Sequence, residues 1–559
     1  MSVLVLSADR PRSSGWHEWS LLSLLLLPLG GAFADTSRLI HIGKEKQLFL
    51  DRHIIEASVG VKAVLNPAQK APNNPLIQKD RPWEGENIHY GTVFYDEKEE
   101  QFRMWYTSYV VYADEEGRPD GKNRRVHYAV SRDGYRWEKP SLGWVEFQGS
   151  KENNLLAPEN WPNIKGGIFV DPKESDPAKR YKAMAQNPIQ DTVPGRAEPR
   201  KVASWNLYYS ADAFHWTPHP GNPVIRAAGP PKVHPEGESW ARRTGYQGYL
   251  WGPTVSMGWD PIRGRYVMHM ENCQHKRCPL EMRVIGRAES PNLIHWSQPQ
   301  TIVIPDHLDP PGLQFYNMYA APYHGLYIAM LWNYRPGDRT PADPLYIWPQ
   351  FAFSRDGIRW DRRFRDPFIP LSEEPEWDSV TIYAQQPIIR GEEIYIFYNG
   401  TNLRDRFLED IGGPGPMGAI GLAVVRLNRF VFLEDGHSDA PTGMNERALR
   451  SIRKRSKARG TESYGQVITR PFRFAGTELQ LNMAPGSGPG PSEIRVELLT
   501  SDHFRIRGFT FEDSDRMSGD SLALTTTWKG RADVDSIAHS PIRLVFYLKN
   551  ARLYSFHFQ

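Results

Sequence analysis

The sequence contains very little cysteine, almost no net charge and no long apolar segment beyond its first 30 residues. Its two cysteines, Cys273 and Cys278, allow one small-loop disulfide in an oxidising compartment. With His269 and His275 nearby they do not match a standard zinc spacing, so no metal is expected. The 68 basic and 65 acidic residues leave a formal charge of +3, which argues against a nucleic-acid partner.

The apolar run near the N-terminus, at residues 21–29, indicates export. Arg10 and Arg12 precede the run, and the small residues Ala32 and Ala34 follow it, which is the order of a secretory signal peptide. The run is shorter than the roughly 20 residues that span a bilayer. We therefore expect cleavage after Ala34 and a periplasmic, cell-surface or extracellular protein with no membrane span.

A repeated motif organises the rest of the chain. The pattern Ser-x-Asp/Asn-x-x-x-Trp occurs at residues 131–137, 210–216, 290–296 and 354–360. Each copy predicts a hairpin in which the Asp or Asn side chain bonds turn amides and the Trp packs between sheets. The repetition favours a structural rather than catalytic role for these side chains, which are Asp133, Asp212, Asn292 and Asp356.

The spacing of the hairpins predicts an all-β fold. Strand-like runs precede each hairpin, and a fifth unit without the Trp motif ends near residue 425, so residues 80–435 are predicted to form a five-bladed β-propeller. A lead-in segment covers 35–79, after a signal peptide at 1–34. Beyond a basic linker at 436–460, alternating strands in 461–559 predict a C-terminal β-sandwich.

Five blades, these hairpins, a signal peptide and an appended sandwich together resemble glycoside hydrolase family 32, the invertase and inulinase type, and its relatives. The resemblance implies a secreted glycoside hydrolase that cleaves an oligo- or polysaccharide with two carboxyl groups and no cofactor. The family's first-blade motif, Trp-Met-Asn-Asp-Pro-Asn-Gly, is replaced by Trp-Glu-Gly-Glu-Asn at 83–87. No Glu-Cys pair occurs, and the Arg-Asp-Pro at 365–367 follows the fourth hairpin, so the sequence resembles a divergent branch.

Site residues are expected where the innermost strands begin, because only there do several blades converge on one sugar. The predicted catalytic pair is Glu84 or Glu86, before the first blade, with Asp378, before the fifth; Glu271 is a further carboxylate from the third blade. Each of them competes with a structural interpretation, such as loop solvation or hairpin capping. The predicted substrate-binding residues are Asn87, His89, Tyr90, Trp251, Gln314, Tyr316, Asn317, Gln350 and Tyr383.

Two other classes of protein stay open at this point. A non-catalytic carbohydrate-binding propeller would have aromatic and amide side chains without a suitably spaced carboxylate pair. A six-bladed sialidase has similar hairpins, but it needs an arginine triad and a tyrosine nucleophile, and the repeat predicts five blades. The sequence does not predict the sugar, the linkage, the stereochemical outcome or the oligomeric state.

Overall fold

The computed structural model describes residues 39–109, 124–156, 164, 167–191, 200–226, 256–272, 282–337, 345–402, 417–436, 446–538 and 540–559. Nearly all of the regular secondary structure in this part of the chain is strand, so the predicted all-β class is confirmed. Its one α-helix, α1 (Glu446–Arg459), lies in the basic stretch that the sequence analysis treated as a linker, and two single 3-10 turns occupy Pro177–Lys179 and Asp535–Ile537. No helix within these residues is long and apolar enough to cross a membrane.

Five short strands open the chain: β1 (Ile40–Gly43), β2 (Gln47–Leu48), β3 (Ile55–Val59), β4 (Val61–Leu65) and β5 (Gln69–Lys70). Antiparallel meanders follow, and five can be traced in the described residues. The first contains β6 (Asn87–Asp96), β7 (Gln101–Tyr109) and β8 (Arg124–Ser131). The second contains β9 (Phe169–Val170), β10 (Tyr181–Asp191), β11 (Arg200–Ser210), β12 (Thr217–Pro218) and β13 (Ile225–Arg226).

The third meander contains β14 (Ser256–Asp260), β15 (Arg265–Glu271), β16 (Ile285–Ser290) and β17 (Gln300–Val303). The fourth contains β18 (Gln314–Tyr323), β19 (Leu326–Arg335) and β20 (Tyr346–Ser354). The fifth contains β21 (Thr381–Ala384), β22 (Ile388–Arg390), β23 (Glu393–Thr401) and β24 (Gly418–Arg426), and β5 from the start of the chain pairs with β24.

The repeated motif forms the predicted turns. Asp133 Oδ1 accepts hydrogen bonds from the backbone amides of Tyr135 and Arg136, both at 2.8 Å. The same pair of bonds recurs at Asp212, Asn292 and Asp356. The motif is therefore a local turn device, and its regularity reflects the fold.

Apolar clusters join each meander to the next. One cluster lies between the fifth and first meanders and includes Phe102 and Phe397; others connect the first to the second, the second to the third, the third to the fourth, and the fourth to the fifth. The four motif tryptophans pack against four of these clusters. Each meander thus buries both faces against neighbours, as a radial arrangement requires.

A second repeated contact joins neighbouring meanders. Asp96 at the end of β6 accepts a 2.5 Å hydrogen bond from the hydroxyl of Tyr181, which begins β10. Equivalent bonds run from Tyr266 to Asp171 at 2.9 Å and from Tyr327 to Asp260 at 2.8 Å. The aspartate ends or directly follows a first strand, and the tyrosine lies at or next to the start of the next meander's second strand. Three successive junctions therefore contain the same kind of polar bond.

The C-terminal strands are β25 (Val431–Asp435), β26 (Gly465–Thr469), β27 (Phe472–Phe474), β28 (Leu479–Pro485), β29 (Glu493–Thr500), β30 (Ser521–Thr525), β31 (Ile542–Lys549) and β32 (Ala551–Phe558). They form two six-stranded sheets, and β1 to β4 from the start of the chain complete those sheets. Side chains of both sheets share one buried cluster, to which Ile42 and Phe49 contribute. Residues 40–65 and 431–435 therefore belong to the same sheets as residues 465–558.

Candidate functional site

The direction of the strands brings side chains of several meanders to one end of the molecule. Because neighbouring strands are antiparallel, the start of a first strand lies beside the end of the second. Asn87 pairs with Tyr109 in the first meander, Gln314 with Tyr334 in the fourth, and Thr381 with Thr401 in the fifth. We call this the mouth end, and it is where the sequence analysis placed the site.

An arc of aromatic rings lies at the mouth end. The imidazole of His89 is 5.1 Å from the ring of Tyr383, and the ring of Tyr316 is 6.2 Å from Tyr383 and 5.6 Å from Tyr334, measured between centroids. Tyr109 lies 6.2 Å from His89. The first, fourth and fifth meanders therefore meet in one cluster, and three of its members, His89, Tyr316 and Tyr383, were predicted from the sequence.

The third meander adds a charged pair to this arc. The guanidinium carbon of Arg283 lies 4.7 Å from the ring centroid of Tyr334 and 5.7 Å from that of Tyr316, within the range of cation–π attraction. Arg283 Nε is 3.1 Å from the buried carboxylate of Glu271, and Arg283 also donates to Gln314 Oε1 at 3.2 Å. We call His89, Tyr109, Glu271, Arg283, Gln314, Tyr316, Tyr334 and Tyr383 the mouth cluster.

Glu84 is held within the first meander. Its side chain is fully buried; Oε1 accepts from the Tyr106 hydroxyl at 2.6 Å and from Lys139 Nζ at 2.7 Å. Oε2 accepts from the backbone amides of Asp80 and Arg81. Burial and the Glu84 carboxylate raise the pKa of the Tyr106 hydroxyl well above its usual value. Tyr106 lies in the first meander, Asp80 and Arg81 in the loop before it and Lys139 just after its hairpin motif, so this carboxylate fastens that loop to the first meander.

Asp378 is also buried in contacts of its own. Lys70 Nζ lies 2.7 Å from its Oδ2, and the Tyr398 hydroxyl donates to the same oxygen at 2.9 Å. The neighbouring Trp377 stacks on Tyr398 with the ring planes 8° apart. Burial and the Asp378 charge raise the pKa of Tyr398 above its usual value. The carboxylate joins β5 to the fifth meander.

Glu86 is the most exposed of the three predicted carboxylates. Its side chain is 30% exposed and pairs with Lys79 Nζ at 2.6 Å. It directly precedes Asn87, the first residue of β6, so it lies at the mouth end. The Glu86 carboxylate is therefore the one of the three that combines a mouth position with access to solvent.

The remaining predicted residues lie either outside the mouth cluster or outside the described residues. Gln350 is buried away from the arc, where it donates to the Phe364 carbonyl and accepts from Arg362. Asn317 follows Tyr316 in a β-bulge, and its Oδ1 accepts from the amide of Met318. Trp251 and the side chain of Tyr90 lie outside the described residues, as do the signal-peptide segment and both cysteines.

Three members of the mouth cluster, Tyr109, Tyr334 and Arg283, were not predicted. Only their position relative to the strands marks them, and their residue type does not. Tyr109 and Tyr334 lie on second strands, whereas the sequence analysis searched chiefly the beginnings of first strands. Arg283 lies two residues before the third strand of its meander. Since an antiparallel neighbour ends where a first strand begins, the last residues of each second strand also belong in such a search.

No known protein family and no curated protein matches the sequence. In structure the chain is similar to proteins that include several glycoside hydrolases. One is a family 32 β-fructofuranosidase of Bombyx mori, which is 9% identical to this chain. The alignment covers 88% of this chain and 93% of the Bombyx mori chain, with a TM-score of 0.38. Another is a family 43 arabinoxylan arabinofuranohydrolase from Bacillus subtilis, in complex with cellotetraose, at 11% identity, 88% and 99% coverage and a TM-score of 0.37.

An N-acetylgalactosamine deacetylase from F. plautii, in complex with blood group B trisaccharide, is similar as well. It is 14% identical to this chain, and the alignment covers 66% of this chain and 96% of the deacetylase chain, with a TM-score of 0.38. Family 32, which the repeat resembles, is represented among the similar solved structures. The role of the mouth cluster has to be inferred from its own contacts.

Proposed function

We propose that the protein is a glycoside hydrolase that binds an oligo- or polysaccharide at the mouth end. The observation that carries the proposal is the mouth cluster itself, where a carboxylate, a guanidinium, an imidazole and tyrosine rings from four meanders lie in contact. Aromatic faces stack on sugar rings, and amide and guanidinium groups donate to sugar hydroxyls. Carboxyl groups are sufficient for acid–base cleavage of the glycosidic bond without a cofactor.

The carboxylates proposed for catalysis are Glu271 and Glu86. Glu271 lies inside the mouth cluster beside Arg283, and Glu86 is solvent-accessible at the start of β6. The sequence-based pair, Glu84 or Glu86 with Asp378, stays a proposal for testing. The contacts of Glu84 with Lys139 and of Asp378 with Lys70 support structural roles for those two carboxylates.

Release of reducing sugar from a panel of poly- and oligosaccharides tests this function. We expect the full chain to cleave at least one glycan, and Glu271→Gln and Glu86→Gln to lower that rate by about 10²- to 10⁴-fold, the usual contribution of a general acid or base. Glu97→Gln is the matched control, because Glu97 is 81% exposed in the turn between β6 and β7, away from the mouth end. Loss of activity in the control alone would contradict the assignment.

Non-catalytic carbohydrate binding is the second candidate. It is favoured by the pairing of Glu271 with Arg283 and by the burial of Glu84 and Asp378, which leave stacking and amide groups as the prominent chemistry. Calorimetric titration with the same glycans separates the two functions. Binding without cleavage, lost in Tyr383→Ala and kept in E271Q, would identify the second.

We also propose that the five meanders are the blades of a five-bladed propeller and that the two six-stranded sheets form a β-sandwich. The apolar clusters that connect each meander to the next, including the fifth to the first, support a closed ring. The buried cluster shared by the two sheets supports face-to-face packing. A crystal structure counts the blades directly.

Export is proposed from the sequence alone, because residues 1–34 lie outside the described part of the chain. Arg10 and Arg12, the apolar run at 21–29 and the small residues up to Ala34 support it. N-terminal sequencing of the protein made in a secreting host is expected to start at Asp35. Recovery of an uncleaved N-terminus from the cytoplasm would contradict the proposal.

A further inference from the structure

A row of polar side chains crosses one face of the third meander. Ser256, His269 and Arg287 are cross-strand neighbours on β14, β15 and β16. His269 and Arg287 are 6% and 5% exposed. Nearby, the third and fourth meanders meet through apolar residues such as Phe315 and Leu331, so polar groups stand here in an otherwise hydrophobic junction.

This row lines a small cavity that is partly open to solvent. The cavity has a volume of about 50 Å³, and its walls include His269, Arg287, Tyr327 and Trp360. Three buried nitrogens of the wall residues, His269 Nε2, Arg287 Nη2 and Trp360 Nε1, have no hydrogen-bond partner among the described residues. A buried donor without a partner is costly, so these groups indicate that something polar occupies the space.

The charges around the cavity favour an anion as the occupant. Glu289 is shared by Arg287, Arg263 and Arg265. The other carboxylate, Asp260, lies 3.9 Å from Arg287 Nη2 and already accepts from the Tyr327 hydroxyl at 2.8 Å. Three guanidinium groups therefore share two carboxylates, which leaves one unit of net positive charge in this group. Arg287 Nη2 still has no hydrogen-bond partner among the described residues, and a monovalent anion beside it would balance that charge.

We propose that this cavity between the third and fourth meanders is a binding site for a small monovalent inorganic anion of the chloride type. Arg287 supplies the charge, and the indole N–H of Trp360 and the imidazole of His269 complete the donor set. Burial and the Arg287 charge lower the pKa of His269 to about 3, so its ring is neutral at physiological pH and donates from Nε2 in one tautomer. The site is separate from the mouth cluster and does not depend on the proposed glycosidase activity.

Crystals of the full chain grown with bromide in place of chloride test the proposal directly. We expect an anomalous difference peak within hydrogen-bonding distance of Arg287 Nη2 and Trp360 Nε1, and its loss in Arg287→Met. Arg265→Gln is the matched control, because Arg265 binds the same Glu289 from a half-exposed position where water screens its charge. A cavity that holds only water in bromide crystals would overturn the proposal.

Thermal unfolding gives the corresponding measurement in solution. A ligand that binds only the folded state raises the midpoint as its concentration rises. We expect chloride to raise the midpoint relative to gluconate, which is too large for the cavity, at equal ionic strength. R265Q is expected to keep this shift and R287M to lose it. Should R287M fail to fold, Trp360→Phe removes one donor and is expected to reduce the shift. Equal midpoints in the two salts for the wild-type protein would overturn the proposal.

Discussion

Glu84 carries a carboxylate that is buried with a lysine. Lys139, its ion-pair partner, is only 5% exposed in its side chain, so removing the carboxylate leaves a buried ammonium with the exposed Asp80 as its remaining ion pair. We expect Glu84→Gln to lower the free energy of unfolding by about 3 kcal/mol, as for a broken buried pair. Chemical denaturation measures the loss.

The matched control for this prediction is Glu86→Gln, two residues away. Glu86 pairs with Lys79 near the surface, where such pairs contribute about 0 to 1 kcal/mol. Equal destabilisation by the two variants would show that Glu84 does not fasten the loop. E84Q with unchanged stability and lost glycan cleavage would instead return Glu84 to the catalytic pair.

Asp96 makes the protein sensitive to acid. Burial alone would raise the pKa of this carboxyl, but the Tyr181 hydroxyl and the Arg180 guanidinium outweigh it and lower the pKa to about 2. A depressed folded-state pKa adds stability that is present above about pH 4 and is lost as the pH falls towards 2. Wild type should therefore be more stable than Asp96→Asn at pH 7, and the two unfolding curves should converge near pH 2. A stability difference independent of pH would contradict this assignment.

The residue scale is also where sequence-based prediction was weakest. Residue type and position near a first strand selected His89, Tyr316 and Tyr383, which lie together in one cluster. The same criteria selected Glu84 and Asp378, but a carboxylate's role depends on its partners, and Lys139 and Lys70 lie far from them in the chain. No local sequence pattern predicts those two ion pairs.

Among the structural elements, the short strand β5 joins the beginning of the chain to the fifth meander. Just after it, the Asn74 side chain donates to the Leu422 carbonyl at 2.9 Å and to the Tyr398 hydroxyl at 3.2 Å, and accepts from the Leu422 amide at 2.9 Å. At about 1 kcal/mol for each bond, Asn74→Ala should cost about 3 kcal/mol of unfolding free energy. Asn73→Ala, which loses a single exposed bond to Tyr135, is the control for the urea-denaturation comparison. Similar losses in both variants would contradict the role of Asn74 in fastening this segment to the fifth meander.

The hairpins were predictable because every bond of the motif lies within five residues. The bond between Tyr181 and Asp96 was not predicted, although its signal is present: an aspartate ends or directly follows three first strands, and a tyrosine lies at or next to the start of the following second strand. The pairing spans two meanders, so it becomes visible only when the repeats are aligned on their strands. The sequence therefore predicts the fold better than it predicts the contacts between the elements of the fold.

At the scale of the whole molecule, residues 40–65 and residues 431–558 build the same two sheets. Ile42, Phe49, Ile54 and Ile55 lie in the buried cluster formed mainly by residues 433–558. At about 2 kcal/mol for each buried side chain, their removal costs roughly 8 kcal/mol, comparable to the whole stability of a domain. We therefore expect a fragment of residues 461–559 to remain unfolded by circular dichroism.

The control is the same fragment with residues 40–65 linked after residue 559, since β2 already pairs with β32. This fusion should unfold in a more cooperative thermal transition than the isolated 461–559 fragment. Cooperative unfolding of the isolated 461–559 fragment would show that the early strands are dispensable. Periodicity alone could not reveal this shared architecture, because it identifies strands but not their partners.

We propose that the mouth cluster binds and cleaves a glycan. The most direct test is a crystal structure of the Glu271→Gln variant with an oligosaccharide that the wild type hydrolyses. We predict a sugar ring against Tyr383 and His89, with the scissile oxygen between residue 271 and the Glu86 carboxyl group. The two groups should then be about 5 to 9.5 Å apart, the range for retaining and inverting enzymes. An oligosaccharide bound elsewhere, with the mouth cluster unoccupied, would contradict the account.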